Sequence, residues 1–206
     1  NGYCFIANGV DTNQKLLNRT NTRVGIVAPA AAPTTAGDGS GTFAGTHSHV
    51  YCYKRAATSS NTLLISNPSP ASAEITVTGK ADIKVDYIAS SDAQVTHIII
   101  YRTLSIAGEV TYFQVAEVAN ATSHYHDSVA DDDLTTQCEV DNAVPPIAKF
   151  IVLHGDRIIY ANLPNETAGG SKLMWSKIGT GEAVPSANYQ YVDRIDGEDI
   201  SGAASV

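Results

Sequence analysis

Almost nothing in these 206 residues repeats with the period of an α-helix. Apolar side chains alternate with polar ones, or stand in short β-branched and aromatic runs closed by Gly, Pro, Asn and Ser. Helical bundles and doubly wound α/β folds are excluded on that ground. Basic residues are few: 13 Lys and Arg stand against 21 Asp and Glu, for a net charge of −8. Ordinary binding to a phosphate backbone depends on clustered bases, so that class of function is excluded too. Cysteine is scarce, with Cys4, Cys52 and Cys138 far apart, odd in number and outside any CxxC. A disulfide scaffold and a zinc site are therefore not expected. Reduced, partly buried thiols are, as in a protein assembled in a cytoplasm. No long apolar run is found, so no signal peptide or membrane span is read. The chain opens on Asn1 rather than Met and closes on the strand-like 200–206, and both ends read as cut from a longer polypeptide.

Catalytic signatures are missing as well. There is no GxSxG, HExxH, Walker-type or EF-hand loop. Gly37-Asp-Gly-Ser-Gly41 neither follows a predicted strand nor opens a helix, so it reads as a flexible linker rather than a phosphate cradle. The sequence assigns no catalytic, cofactor-binding or metal-binding residue. Asn18-Arg-Thr20, Asn120-Ala-Thr122 and Asn165-Glu-Thr167 match the glycosylation pattern, which matters only in a secretory pathway.

What is present is a succession of strands. They are expected at 3–7, 47–54, 74–78, 83–88, 96–103, 111–118, 123–127, 149–154, 157–162, 172–177, 189–194 and 200–206. Two Pro-containing junctions divide them, Ala28-Pro-Ala-Ala-Ala-Pro-Thr-Thr-Ala36 and Asn142-Ala-Val-Pro-Pro146. Residues 37–143 then form a sandwich-sized domain, and the flanks 1–28 and 147–206 form an outer domain that it interrupts. In the outer domain His154-Gly-Asp156 is a hairpin turn, and Asp196-Gly-Glu-Asp199 is a second turn. Short strands joined by tight turns make one propeller-like blade, which cannot bury both faces alone. Tyr101, Tyr125 and Trp175 are expected to be buried.

The polar residues deserve the same weighing. Residues 109–141 hold eight carboxylates and no Lys or Arg. They read either as a solvated face or as a surface that repels a polyanion. His47 and His49, and likewise His124 and His126, are i, i+2 pairs on predicted strands, so each pair shares a face. Two such pairs could in principle build one metal site. His97 and His154 read as structural, and Asp131-Asp-Asp133 as an exposed turn rather than a calcium site.

The middle segment resembles a fibronectin type III module. Val95-Thr-His-Ile-Ile-Ile-Tyr-Arg102 is similar to its strand C, with Ile99 in place of the usual first Tyr, and Thr122-Ser-His-Tyr-His-Asp127 to its strand E. Gly45-Thr-His-Ser-His-Val-Tyr-Cys-Tyr53 is similar to strand F, and Ser66-Asn-Pro-Ser-Pro70 to the tail into strand G, yet both come first. The resemblance therefore implies a circular permutation, which nearby surface termini permit. It also implies that the F-like and E-like strands lie in opposite sheets and that Tyr125 faces the core, which turns His124 and His126 outward while His49 shares the inward phase of Tyr51 and Tyr53, so a joint metal site is not expected. Together with Asn1-Gly-Tyr-Cys-Phe-Ile-Ala-Asn-Gly9, Lys149-Phe-Ile-Val-Leu-His-Gly-Asp-Arg157, Leu173-Met-Trp-Ser176 and Asp196-Gly-Glu-Asp-Ile-Ser-Gly202, the order resembles propeller proteins of tailed bacteriophages that carry such an insertion. That resemblance implies a non-catalytic virion component of a tail nozzle, neck or hub, assembled in the host cytoplasm. Its partners would be copies of itself in a ring and other tail or neck proteins, with DNA only in transit. The alternative is an extracellular module binding a glycan or receptor through exposed tyrosines. A hydrolase propeller ranks behind both.

Overall fold

A computed structural model of the chain describes residues 3–17, 19–121, 123–192 and 198–204. Its regular structure is nearly all β, as the alternation implies; two three-residue 3-10 helices, Asp131–Asp133 and Gly169–Ser171, are the only helical elements among the described residues. In chain order the strands are β1 (Cys4–Ile6), β2 (Gln14–Leu17), β3 (Thr20–Arg23), β4 (Thr34–His47), β5 (His49–Arg55), β6 (Leu64–Ile65), β7 (Ile75–Asp86), β8 (His97–Thr103), β9 (Tyr112–Ala119), β10 (His124–Asp127), β11 (Phe150–His154), β12 (Arg157–Ala161), β13 (Lys172–Trp175) and β14 (Tyr189–Tyr191). Two compact units result. An outer unit holds 1–27, 57–66 and 141–206, and an inner unit holds 28–56 and 67–140. The inner unit starts before residue 37, and 57–66 leaves it for the outer unit, which no local signal in the sequence marks.

In the outer unit, β1–β2–β3 and β11–β12–β13–β14 are antiparallel meanders. The β11–β12 turn places Gly155 and Asp156 at φ 52° and 60°, the two positive-φ positions of a tight hairpin. Polar bonds tie residues 9–13 to residues 146–148. Gly9 N–H donates to Ala148 O at 3.0 Å, Asn13 Nδ2 donates to Pro146 O at 2.6 Å, and Ala148 N–H donates to Asn13 Oδ1 at 3.2 Å. Phe5 and Ile151 pack on a core of Ala148, Ile158, Tyr160, Leu163, Met174 and Val184. The inward residue of β13 is Met174, opposite Tyr160; Trp175, one residue on, takes the other face and is half-buried. This corrects the expected burial of Trp175. Residues 172–175 are apolar on both faces after Lys172, so alternation alone does not fix the phase.

In the inner unit, β7 runs between β4 and β10, and β8 between β5 and β9. The two sheets face each other, with Tyr51 against Tyr87 at 5.7 Å between ring centroids. Ile98, Ile99 and Ile100 of β8 are all essentially inaccessible to solvent, and Tyr101 is buried as expected, whereas Tyr125, on the short edge strand β10, is only half-buried, short of the burial expected of it. The stretch Gly37–Gly41 is not a linker but part of β4. A Cβ at Gly37 would meet Lys80 Cγ at 3.0 Å, and one at Gly41 would meet Lys80 O at 2.8 Å, so these glycines permit close backbone approach rather than flexibility. The separate strands expected at 74–78 and 83–88 are one long β7, continued through Gly79 at φ 64°. Residues 69–72 run beside β5 without forming a ladder strand. Ser69 and Ser72 donate their N–H groups to Tyr51 O and His49 O, and their hydroxyls accept the N–H groups of Tyr51 and His49.

The sequence misses β2 and β3; β2 becomes a strand by pairing with β1, and the polar β3 by pairing with β2. It also misses the short β6. Of the expected strand 200–206, residues 200–204 are not strand, although Ile200 N–H donates to Gly170 O at 2.8 Å. Ser205 and Val206, the 193–194 end of the expected strand 189–194, Asp196 and Gly197 of the second turn, Asn1 and Gly2, Asn18 and Thr122 lie outside the described residues.

Candidate functional site

The densest polar arrangement lies between the two sheets of the inner unit. His49 comes from β5, Arg102 from β8 and Asp127 from β10, and all three are fully buried. His49 Nε2 lies 3.0 Å from Asp127 Oδ2. Arg102 NH1 donates to both oxygens of Asp127, at 3.2 and 3.1 Å, and its NH2 donates to Asp131 Oδ1 at 2.7 Å. Asp127 also accepts Val129 N–H at 3.1 Å. A buried guanidinium is tolerable only when paired and hydrogen-bonded in this way. Phe43 completes the enclosure, with Arg102 Cζ 5.3 Å from its ring centre and His47 stacked on it at 5.4 Å.

This network joins the two sheets through three side chains that are closed to solvent. A His–Asp pair becomes catalytic when the free imidazole nitrogen meets a nucleophile. Here His49 Nδ1 has no hydrogen-bond partner, and the pair is closed to solvent. Asp131, expected on an exposed turn, is instead committed to Arg102 and to the N–H of Ser105 at 2.7 Å. The eight carboxylates of 109–141 are accordingly a weaker surface charge than their number implies. Asp127 is internal, Asp131 pairs with Arg102, and Glu117 pairs with Lys54 at 2.7 Å.

His47 supplies a pH test of this region. Burial, and next the charge of Arg102, hold its pKa below the usual 6.5, against opposing pulls from Thr103 O and Asp131. The folded inner unit thus prefers neutral His47, while the unfolded chain takes up a proton near pH 6.5. This contribution to stability is intact above that pH and is lost as pH falls from there through the folded-state pKa. The denaturant midpoint of the inner unit is expected to drop between about pH 7.5 and about pH 5.5, and to drop less in His47→Phe. Equal drops in the two proteins would remove His47 as the cause.

The two His pairs lie apart, as the sandwich resemblance implies. His124 and His126 are exposed on the outer face of the β4–β7–β10 sheet. There Nδ1 of His126 lies 2.8 Å from Asp82 Oδ1 and 3.6 Å from Asp38 Oδ2, a grouping that no sequence spacing announces. His97 is half-buried, with its Nδ1 2.9 Å from Thr96 Oγ1, and His154 is exposed at its hairpin. The three cysteines are free, as expected, but two of them meet. Cys4 is exposed, while Cys52 and Cys138 are buried with their sulfurs 3.8 Å apart.

The outer unit carries a buried ion pair between Lys15 and Glu182, and Glu182 also accepts Gly25 N–H at 3.0 Å. It carries two cavities. One, of about 480 Å³, is lined by Tyr3, Phe5, Ile151, Leu153, Ile158 and Ile178 among others. The other, of about 490 Å³, is lined by Val152, Ile159, Leu173, Val192 and Ile200 among others. Among the described residues no helix is long and apolar enough to cross a membrane. Comparison with protein-family models and with curated proteins returns no match for this chain.

Proposed function

We propose that this chain is a non-catalytic structural module of a tailed-bacteriophage virion, part of a tail nozzle, neck or hub, acting by packing in a ring around the path of DNA. The observation that carries the reading is the β11–β14 meander, which is apolar on both faces. Ile151 and Leu153 line the first cavity, and Val152, Ile159 and Leu173 line the second. Leu153 and Ile178 are each 66% exposed and Val192 is 64% exposed. Apolar surface of this kind marks a contact surface, and a propeller blade is a four-stranded meander with a neighbour on each face. The inner unit supports the fibronectin-like part of the reading. Its F-like β5 and C-like β8 are neighbours in one sheet, and its E-like β10 lies in the other, the partition found in immunoglobulin-type sandwiches. A net charge of −8 suits a wall past which DNA slides without binding.

The test is electron cryo-microscopy of the assembled particle, with the parent protein carrying Leu153→Asp and Ile178→Asp as the comparison. A ring built from copies of the parent, with its lumen lined mainly by carboxylates, is expected, and the double variant is expected to assemble poorly. Absence from every ring overturns the reading, and a lumen lined by Lys and Arg overturns the DNA-passage part.

One observation favours a second reading, an extracellular glycan-binding module. Tyr189 and Tyr191 share a face of the edge strand β14, with ring centroids 5.8 Å apart, and Tyr189 is 46% exposed. Saturable glycan binding lost in Tyr189→Ala would select it.

A further inference from the structure

The outer face of the β4–β7–β10 sheet contains an arrangement that sheet energetics alone disfavours. Asp38 on β4 stands directly opposite Asp82 on β7 in the ladder register. Like charges in directly opposed positions destabilise a strand pair. Among the described residues neither carboxylate has a Lys or Arg partner. Lys84, two residues from Asp82 on the same face, bonds Asp86 at 2.9 Å instead. What meets both carboxylates is the imidazole of His126, which β10 places opposite Lys84 and therefore diagonal to Asp82.

We propose that Asp38, Asp82 and His126 bind a single divalent cation of the first transition row, with Zn²⁺ as the best fit. One ligand atom from each residue lies within 4.8 Å of the other two. Tetrahedral Zn²⁺ with bonds of about 2.0–2.2 Å sets its donor atoms roughly 3.4 Å apart. The separations of 2.8 and 3.6 Å from Nδ1 to the two carboxylates bracket that value. One imidazole nitrogen with two carboxylates selects Zn²⁺ and its neighbours over Ca²⁺ and Mg²⁺, which take oxygen ligands. Because the three side chains stand on adjacent strands of one sheet, their geometry is held by the ladder rather than by a loop. Asp38 and His126 are exposed and Asp82 is half-buried, so water can reach the fourth position. The cation neutralises the opposed carboxylates and staples both edge strands to β7.

The experiment is calorimetric titration of Zn²⁺ into the intact chelator-treated chain, repeated with Asp38→Asn, Asp82→Asn, His126→Ala and His124→Ala. One Zn²⁺ per chain is expected, with at least a tenfold loss of affinity in each of the first three variants and little change in His124→Ala. Co²⁺ in place of Zn²⁺ is expected to give visible absorption bands that vanish in His126→Ala. Circular dichroism confirms folding of each variant; these exposed positions permit it, and Asp38→Glu serves as a second probe that retains binding if Asp38→Asn misfolds. Absence of Zn²⁺ binding overturns the proposal. So does binding that survives His126→Ala and Asp82→Asn, or that depends on His124 but not on Asp38, since each locates the ion elsewhere.

Discussion

Asp127→Ala is expected to unfold the inner unit or leave it marginal, at a cost of about 3–5 kcal/mol, as when one partner of a buried ion pair is removed. That is a large part of the about 5–15 kcal/mol that holds a typical domain. The carboxylate receives Arg102 on both oxygens, His49 on one and Val129 N–H on the other. Truncation leaves the fully buried guanidinium with only Asp131, and strips His49 of its one hydrogen-bonded side-chain partner. Asp127→Asn keeps the shape but not the charge and is expected to fall between. Asp133→Ala, at an exposed position, is expected within about 0.5 kcal/mol of the parent. Replacing His49, Arg102 and Asp127 together by apolar residues of similar volume is expected to recover most of the loss, because the penalty is the uncompensated charge. Trp175 reports the outer unit alone, whereas the tyrosines divide between the units, with Tyr51, Tyr53, Tyr87, Tyr101, Tyr112 and Tyr125 in the inner one, so inner-unit unfolding is read as the tyrosine change that is not accompanied by a change at Trp175. If Asp127→Ala unfolds at the same denaturant concentration as the parent, the network contributes nothing.

Mild peroxide is expected to join Cys52 to Cys138 and to raise the stability of the inner unit by up to roughly 4–5 kcal/mol, the loop-closure figure for a cross-link of this span. The sulfurs are 3.8 Å apart, so they need to close by about 1.8 Å to reach bonding distance. Their environments divide the roles. The hydrogen bond with Cys138, and then burial, push the Cys52 thiol up; that same bond draws Cys138 down against burial and the charge of Glu139. Cys138 is therefore expected to react with peroxide first, giving a sulfenic acid and one water. Cys52 then displaces the second water as the sulfur–sulfur bond forms. Loss of two hydrogens by mass spectrometry, loss of two titratable thiols and a higher denaturant midpoint should appear together, and all should vanish in Cys52→Ser. Retention of all three thiols after peroxide treatment would show that the interior excludes the oxidant or holds the sulfurs apart.

Features set by neighbours along the chain were legible without the structure. The all-β class followed from alternation, because a period of two is a property of the local backbone. That His124 and His126 share a face followed from the same period, and their outward turn from the sandwich resemblance. The Pro-containing junctions lay near the real unit boundaries, since proline interrupts a ladder wherever it falls. Local reasoning failed where both faces of a strand are apolar, as at Met174 and Trp175. It also failed at Gly37–Gly41, where the same glycines serve a loop or a close backbone contact equally well.

The functional groupings belong to tertiary structure. His126 and Asp82 are 44 residues apart, Cys52 and Cys138 are 86 apart, and Arg102 and Asp127 are 25 apart. Each meeting is fixed by which strands pair, in what register, and which sheet each joins. A shift of one residue in a ladder would send every one of these side chains to the opposite face. The sequence by itself determined that the chain is built of strands and that His124 and His126 share one strand face. Only the tertiary structure decided that an arginine would be buried, that two thiols would meet, and that two carboxylates and an imidazole would share one patch of sheet, because those contacts depend on pairings between strands distant in sequence.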